Sequence, residues 1–136
     1  MGYEVLPHTA DVMLSAWGPT TEDCLAEAAR ALVSCVADVR EARPQRLVGF
    51  RCDPAPESDL LVQLLEEIIY LLDAEDVVPA AVGVALTGEG GLVGEFGVVP
   101  LSEVPVVGPA PKAVTLHGLR WERDGDQVRC QVVIDV

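Results

Sequence analysis

Acidic side chains near the two ends of the chain offer the donor set of a divalent-cation site. Asp11 lies near the start, and Asp135 stands beside Val136 at the end of the sequence. If the fold brings these positions together, two carboxylates and an oxygen of Val136 converge, and calcium, manganese and magnesium prefer such oxygen ligands. Without a cation, the carboxylates would repel each other. The spacing alone leaves Asp11 open as a turn or capping residue and Asp135 as a solvated charge.

Neighbouring residues could support such a site or face a partner. His8 and Thr9 belong to the His-Thr-Ala-Asp run that ends at Asp11. His8 is a candidate ligand or general base, and equally a surface histidine. Lys112 stands just before a predicted strand, where its ammonium could bind an anion or a partner carboxylate. A plain surface position is the default for a lysine.

The charge balance limits the kinds of partner. The chain has 136 residues, with 22 acidic and 9 basic side chains and a net charge of −13. Direct nucleic-acid binding as a main role is therefore disfavoured, because phosphate contacts need clustered Lys and Arg. A basic protein partner or a bound cation fits the charge better. Solubility alone is the commoner explanation of such a surplus.

Length and hydropathy indicate one soluble domain over residues 1–136. Half of the residues are apolar, which is enough for a hydrophobic core at this size. Aromatic residues make up only 4%, so Leu, Val, Ile and Ala must build that core. The sequence shows no leader pattern and no apolar stretch of membrane length. We therefore expect a cytoplasmic protein without a membrane partner.

Motifs for zinc binding, nucleotide binding and nucleophilic catalysis are not evident. Cys24, Cys35, Cys52 and Cys130 lack zinc-ligand spacing and fall in predicted helices and strands, so we expect buried free thiols. The glycine-rich segment between Gly83 and Gly97 matches neither common phosphate-binding pattern. A Gly-x-Ser-x-Gly nucleophile motif is also lacking.

The first half of the chain alternates strands and helices. Residues 12–17 predict a strand that ends at a Gly-Pro pair. The run from Thr20 to Asp23 then supplies a helix start, a hydroxyl cap followed by acids in the first turn, and the helix runs to about residue 37 or 38. A strand over 46–52 follows, and Ser58 is expected to cap a second helix with a leucine-rich buried face.

The second half predicts four strands. Residues 77–86 and 92–99 pair through a glycine-rich turn, 100–111 form a loop, and 114–123 pairs with 128–136 in a hairpin. Alternation places Asp135 on the face opposite the apolar set. It also places His117 on the same strand face as Thr115, Leu119 and Trp121. A histidine among such neighbours is more often a hydrogen-bonded packing residue than a metal ligand. The run of late strands favours an α+β fold, a single domain whose mixed or antiparallel β-sheet carries two α-helices packed on one face.

Four segments of the chain resemble the archease family. They are the His-Thr-Ala-Asp-Val run at 8–12 with Ala-Trp-Gly at 16–18, the second helix at 60–71, the stretch 111–118, and the ending 133–136. Each segment is short, but together they span the chain from about residue 3 to the end, in order and at suitable separations.

The resemblance implies a role in RNA ligation. Archeases are accessory factors of the GTP- and manganese-dependent RNA-splicing ligase that joins a 2′,3′-cyclic-phosphate or 3′-phosphate end to a 5′-hydroxyl. This protein would then promote ligase guanylylation and repeated turnover in tRNA splicing or RNA repair, and it would meet RNA only through the ligase. By the same resemblance, Asp11 and Asp135 bind the metal together with a main-chain or terminal oxygen of Val136.

The function implied by the resemblance is that of an accessory protein that is not itself a catalyst. Two other functions stay open. A small metal-dependent hydrolase or phosphotransferase would need a general base beside the metal, for which His8 is the candidate. A chaperone-like binding module would use the carboxylates only to order the chain ends.

Overall fold

The computed structural model describes residues 1–6 and 11–136, and these contain two α-helices and seven β-strands. The helices are α1 (Thr21–Val36) and α2 (Glu57–Glu75). The strands are β1 (Gly2–Leu6), β2 (Asp11–Gly18), β3 (Arg46–Cys52), β4 (Val77–Leu86), β5 (Leu92–Pro100), β6 (Ala113–Asp124) and β7 (Gln127–Asp135). A 3₁₀ turn, Leu101–Glu103, follows β5. Within the described part of the chain, no helix combines the length and apolar character needed to cross a membrane.

The strands form two antiparallel sheets joined by the helices. One sheet has the order β1-β2-β7-β6 and the other the order β3-β5-β4. Helix α1 contacts β1, β2 and β7 of the first sheet and β4 of the second, while α2 contacts β6 of the first and β3 and β4 of the second. The predicted α+β class is confirmed. The strands divide between two sheets, and the helices bury apolar side chains against both.

Helix α1 follows its sequence signals closely. The Thr20 hydroxyl accepts a hydrogen bond from the N–H of Asp23 at 3.1 Å, as an N-cap does. Glu22 and Asp23 place negative charge in the first turn, where the helix dipole favours it. Most of the helix is buried, and it ends before Ala37, close to the predicted end.

The predicted cap of α2 is wrong, although its buried face is confirmed. The helix begins at Glu57, one residue before Ser58, and Pro56 occupies the N-cap position without a side-chain hydrogen bond. The fixed φ of proline suits a helix start, so Ser58 lies inside the first turn. The fully buried residues of this helix include Leu60, Leu61, Leu64, Leu65, Ile68 and Leu71.

Strand β1 was not predicted from the sequence. It pairs with β2 so that Tyr3 stands opposite Ala16 and Val5 stands opposite Leu14. Five residues with only two apolar alternations give too weak a pattern for a prediction.

A bulge interrupts the pairing of β6 with β7. Thr115 pairs with Val133, but the next described pair joins Arg120 to Gln131, so β6 advances five residues while β7 advances two. Gly118 takes a φ of 80° inside this bulge, a conformation that glycine adopts without a steric cost.

The bulge makes the predicted surroundings of His117 wrong. Thr115 lies on the outer face of the sheet, whereas Leu119 and Trp121 pack against the core. His117 is exposed, and its backbone N–H donates to Thr115 Oγ1 at 3.1 Å. The extra residues break the strict alternation on which the prediction depended.

The four cysteines are free thiols, as predicted. The Cys24 thiol donates to Cys130 Sγ at 3.6 Å in the core. The hydrogen bond with Cys130 and burial together raise the pKa of Cys24, so this thiol stays protonated and unreactive. Cys52 is also buried, and Cys35 is half-buried.

Candidate metal centre

The pairing of β2 with β7 brings the two predicted metal-binding acids together. Asp11 is the first residue of β2, Asp135 is the last residue of β7, and the antiparallel register places them directly opposite each other. Directly opposed residues project to the same face of a sheet, with Cβ atoms about 4.5–5.5 Å apart. The register therefore gives the two carboxylates one common neighbourhood at one end of the sheet.

The alternation of both strands turns these acids away from the core. Val12 and Ile134, their neighbours in sequence, face the helices and pack in or against the core. Asp11 is half-buried and Asp135 is exposed on the opposite, outer face. The predicted outward position of Asp135 is therefore confirmed.

Apolar side chains border the acids along the same outer face. The adjacent rung of the sheet consists of Met13, Val133 and Thr115, which lie opposite one another on β2, β7 and β6. Val133 is only 5% exposed, and Met13 is half-buried. This rung gives the acids apolar neighbours on one side, while Asp135 itself stays exposed.

Strand β6 brings the main chain of Lys112 to the pair. Ala113 pairs with Asp135 from the side opposite Asp11. The Lys112 N–H donates to the carbonyl oxygen of Asp135 at 2.7 Å. The main chain of Asp135 is thereby fixed, and its side chain remains for another partner. The Lys112 side chain is exposed.

Val136 is anchored beside the acids by its side chain. It packs against the core and lines a small cavity of about 10 Å³ with Val12, Ile134 and Pro111. The alternation that sends Asp135 outward sends Val136 inward. Its anchored position keeps a main-chain oxygen one residue from the Asp135 carboxylate.

The donor set suits a hard cation in an open site. Among the described residues, neither Asp11 nor Asp135 forms a salt bridge. Like charges directly across a strand pair are destabilising, and a cation would relieve that cost. Residues 1–6 and 11–136 contain no cluster of three or more His, Cys, Asp or Glu side chains suited to a metal. Two carboxylates therefore hold a cation only with added main-chain or water oxygens, an arrangement that magnesium accepts readily.

The remaining predicted residues divide into two groups. His8 and Thr9 lie outside the described residues. His117 lies within the β6 bulge, whereas Ala113 is the β6 residue opposite Asp135. The strand pairing thus brings together Asp11, Asp135 and the Lys112 main chain. It does not place His117 opposite either acid.

Glu57 makes a second notable carboxylate contact, which the sequence did not predict. Glu57 Oε2 accepts a hydrogen bond from Thr21 Oγ1 at 2.8 Å, and its Oε1 accepts one from Trp121 Nε1 at 3.0 Å. The contact ties the first turns of α1 and α2 to β6. An acid placed directly after Pro56 was the available signal, but its partners are distant in sequence.

Comparison with known proteins identifies relatives over the whole chain. The model of the Archease protein family matches residues 3–136. The chain is 35% identical over 135 residues to the probable protein archease of Mycobacterium tuberculosis, covering 99% of this chain and 75% of the relative. It is 29% identical over 138 residues to the protein archease of Archaeoglobus fulgidus, covering 100% of both.

Solved structures share the fold. The solution structure of Methanobacterium thermoautotrophicum protein 1598 matches with a TM-score of 0.76 and 22% identity, covering 99% of each chain. The crystal structure of a Thermotoga maritima archease, described as a possible chaperone, matches with a TM-score of 0.65 and 23% identity, covering 96% of this chain and 94% of that one. At these identities the structures support the fold, while the family model and the mycobacterial relative establish the kinship. The chain belongs to the archease family.

Proposed function

We propose that this protein is an accessory factor, not itself a catalyst, that activates a GTP- and manganese-dependent RNA-splicing ligase. The observation that carries the proposal is the register of β2 and β7, which sets Asp11 directly opposite Asp135 on an outer face. Membership of the archease family, together with this carboxylate pair at the expected residues, supports the assignment.

The proposed role of the pair is to hold a divalent cation (calcium, manganese or magnesium) where another protein can reach it. Asp11 and Asp135 supply the carboxylates, and Val136 adds a main-chain oxygen. A divalent cation at this position supplies charge stabilisation for triphosphate oxygens during guanylylation. Because Asp135 is exposed at the end of its strand, the site opens outward. An outward site suits presentation to a ligase better than an enclosed reaction of its own.

Charge supports a protein partner over direct RNA contact. The net charge of −13 repels phosphate backbones. A ligase that binds RNA needs basic surfaces, so an acidic accessory protein is attracted to it. In this proposal RNA is reached only through the ligase, and the protein acts in the cytoplasm.

The test is reconstitution with the RNA ligase of the same organism. Guanylylation is followed by transfer of labelled GMP to the ligase, and turnover by joining of 3′-phosphate and 5′-hydroxyl RNA at limiting ligase. We expect the protein to raise product per ligase about tenfold or more, equivalent to about 1.4 kcal/mol. Unchanged guanylylation and turnover would contradict the proposal.

A parallel reaction without ligase distinguishes the accessory role from the hydrolase alternative. The protein is incubated alone with GTP and with phosphodiester substrates in the presence of manganese. We expect no turnover above buffer. Steady turnover by the protein alone, lost in the Asp11→Asn variant, would support the metal-dependent hydrolase or phosphotransferase instead.

A further inference from the structure

One face of α2 is exposed along most of the helix and carries mainly acids. Its residues follow one another at alternating steps of four and three, the spacing of a single helical stripe. All five are exposed, and we name this stripe the acidic face of α2: Asp59, Gln63, Glu66, Tyr70 and Asp73. The opposite side of the helix is the leucine-rich buried face.

The charge on this helix is one-sided. Helix α2 contains six acidic residues and no Lys or Arg. Asp73 and Glu75 lie in the last turn and Asp76 caps it, although the negative end of the helix dipole favours cations there. Only Glu75 has a basic partner among the described residues, Arg46 at 3.3 Å. The helix dipole therefore disfavours these acids, and cationic side chains of a partner would relieve that cost.

Tyr70 gives the face an aromatic anchor point. Its side chain is 55% exposed, the largest exposed apolar group on α2. It borders a groove of about 330 Å³ between α2 and the edge strand β3, whose lining also includes Phe50, Arg51, Cys52, Gln63, Glu66 and Glu67. An exposed aromatic ring beside a groove is a typical centre for protein–protein binding energy. The groove therefore offers packing as well as charge.

We propose that the acidic face of α2 docks a segment of a protein partner that carries Lys or Arg side chains. Asp59, Glu66 and Asp73 recur every seven residues, which spaces them about 10 Å apart along the helix. Cationic side chains at that interval pair with the three acids, while an apolar side chain packs on Tyr70. This surface goes beyond the proposed function, because it shares no residue with the outer face that carries Asp11 and Asp135.

Charge excludes the competing occupants. Nucleic acid and anionic membrane surfaces are repelled by the three acids of the stripe. Arg51 in the bordering groove is outnumbered there by Glu66 and Glu67. A second copy of this chain brings a net charge of −13 and the same acids, so like charges would meet. A basic protein segment is the remaining class of partner with complementary charge.

The test uses two labelled synthetic peptides and fluorescence anisotropy. The cationic peptide carries Arg at seven-residue intervals with one Trp between two of them, and its acidic counterpart has Glu in place of Arg. We expect the wild-type protein to bind the cationic peptide about tenfold more tightly than the acidic one, with affinity that falls as salt rises. Equal affinity for both peptides would overturn the proposal.

Variants separate charge from packing. The double variant Glu66→Gln/Asp73→Asn is expected to weaken binding about tenfold and to flatten its salt dependence. Tyr70→Ala is expected to weaken binding by a similar factor while the salt dependence persists, and Tyr70→Phe to retain affinity. Because all three positions are exposed, the variants should melt within a few degrees of wild type.

A matched control removes equal charge elsewhere. Glu4→Gln/Glu95→Gln neutralises two exposed acids on β1 and β5, whereas α2 packs against β3, β4 and β6. We expect it to bind the cationic peptide within about twofold of wild type, since distant charges are screened. Equal weakening by this control, or wild-type affinity in Tyr70→Ala, would overturn the proposal.

Discussion

The double variant Asp11→Asn/Asp135→Asn is expected to lose the stimulation of the RNA ligase. Asparagine keeps the size of each side chain but removes the two negative charges that would hold the cation. In the reconstituted guanylylation assay, we expect activity to fall about tenfold or more, to the level of the ligase alone. Each single variant should lose most of the effect, because one carboxylate leaves an incomplete donor set.

The stability of the same variant should change in the opposite direction. Directly opposed like charges cost about 0.2–1 kcal/mol in a strand pair, so their removal stabilises the metal-free protein by about that amount. Thermal unfolding in the presence of a chelator measures this gain. A lost function in a more stable protein cannot be attributed to unfolding.

A matched variant completes this experiment. Glu122→Gln/Asp126→Asn removes two exposed acids near the other end of the β6–β7 hairpin. It should stimulate the ligase as wild type does. Full stimulation by Asp11→Asn/Asp135→Asn would contradict the assignment of the site.

The second large effect is expected on the stability of the protein when Glu57 is replaced. Its carboxylate accepts hydrogen bonds from the hydroxyl of Thr21 and from the indole N–H of Trp121, and both contacts are part-buried. Hydrogen bonds to charged groups are worth about 1.5–3 kcal/mol each, and part-buried bonds fall at the lower end, so losing both in Glu57→Ala should lower the free energy of unfolding by about 3 kcal/mol. Urea unfolding measures the change. Glu57→Gln should cost less, because its single amide oxygen can still accept one of the two bonds.

Glu66→Ala on the same helix is the control for this change. Glu66 is exposed, and its replacement should alter stability by less than about 0.5 kcal/mol. The fraction of Glu57→Ala protein that stays folded should still stimulate the ligase. The contact of Glu57 with Trp121 lies eight residues along β6 from Ala113, which is the residue that pairs with Asp135. A cost at Glu57 no larger than that at Glu66 would show that the contact does not join the helices to β6.

Local patterns were sufficient for most elements of the fold. The bounds of β3 and β4 and the position of α1 follow from turn residues, a Thr cap and apolar spacing. Alternation along β7 was enough to place Asp135 on the outer face. These properties depend on neighbours within a few residues, which is the range over which a sequence pattern is informative.

Features that depend on distant residues were beyond such patterns. The division into two sheets and the opposition of Asp11 and Asp135 are set by strand pairing between remote parts of the chain. The bulge at Gly118 displaced His117 because the extra residues of β6 reset the alternation without a strong local signal. The partners of Glu57 lie 36 and 64 residues away. Only the resemblance to archeases linked the two acids before the pairing was known.

Cation titration tests most directly the central claim that Asp11 and Asp135 hold a divalent ion. Isothermal titration calorimetry with manganese and with calcium is performed on the wild-type protein and on Asp11→Asn/Asp135→Asn. We predict one bound cation per wild-type chain and an affinity about tenfold or more weaker in the variant. Equal affinity in the two proteins, or no binding of either cation by wild type, would contradict the account.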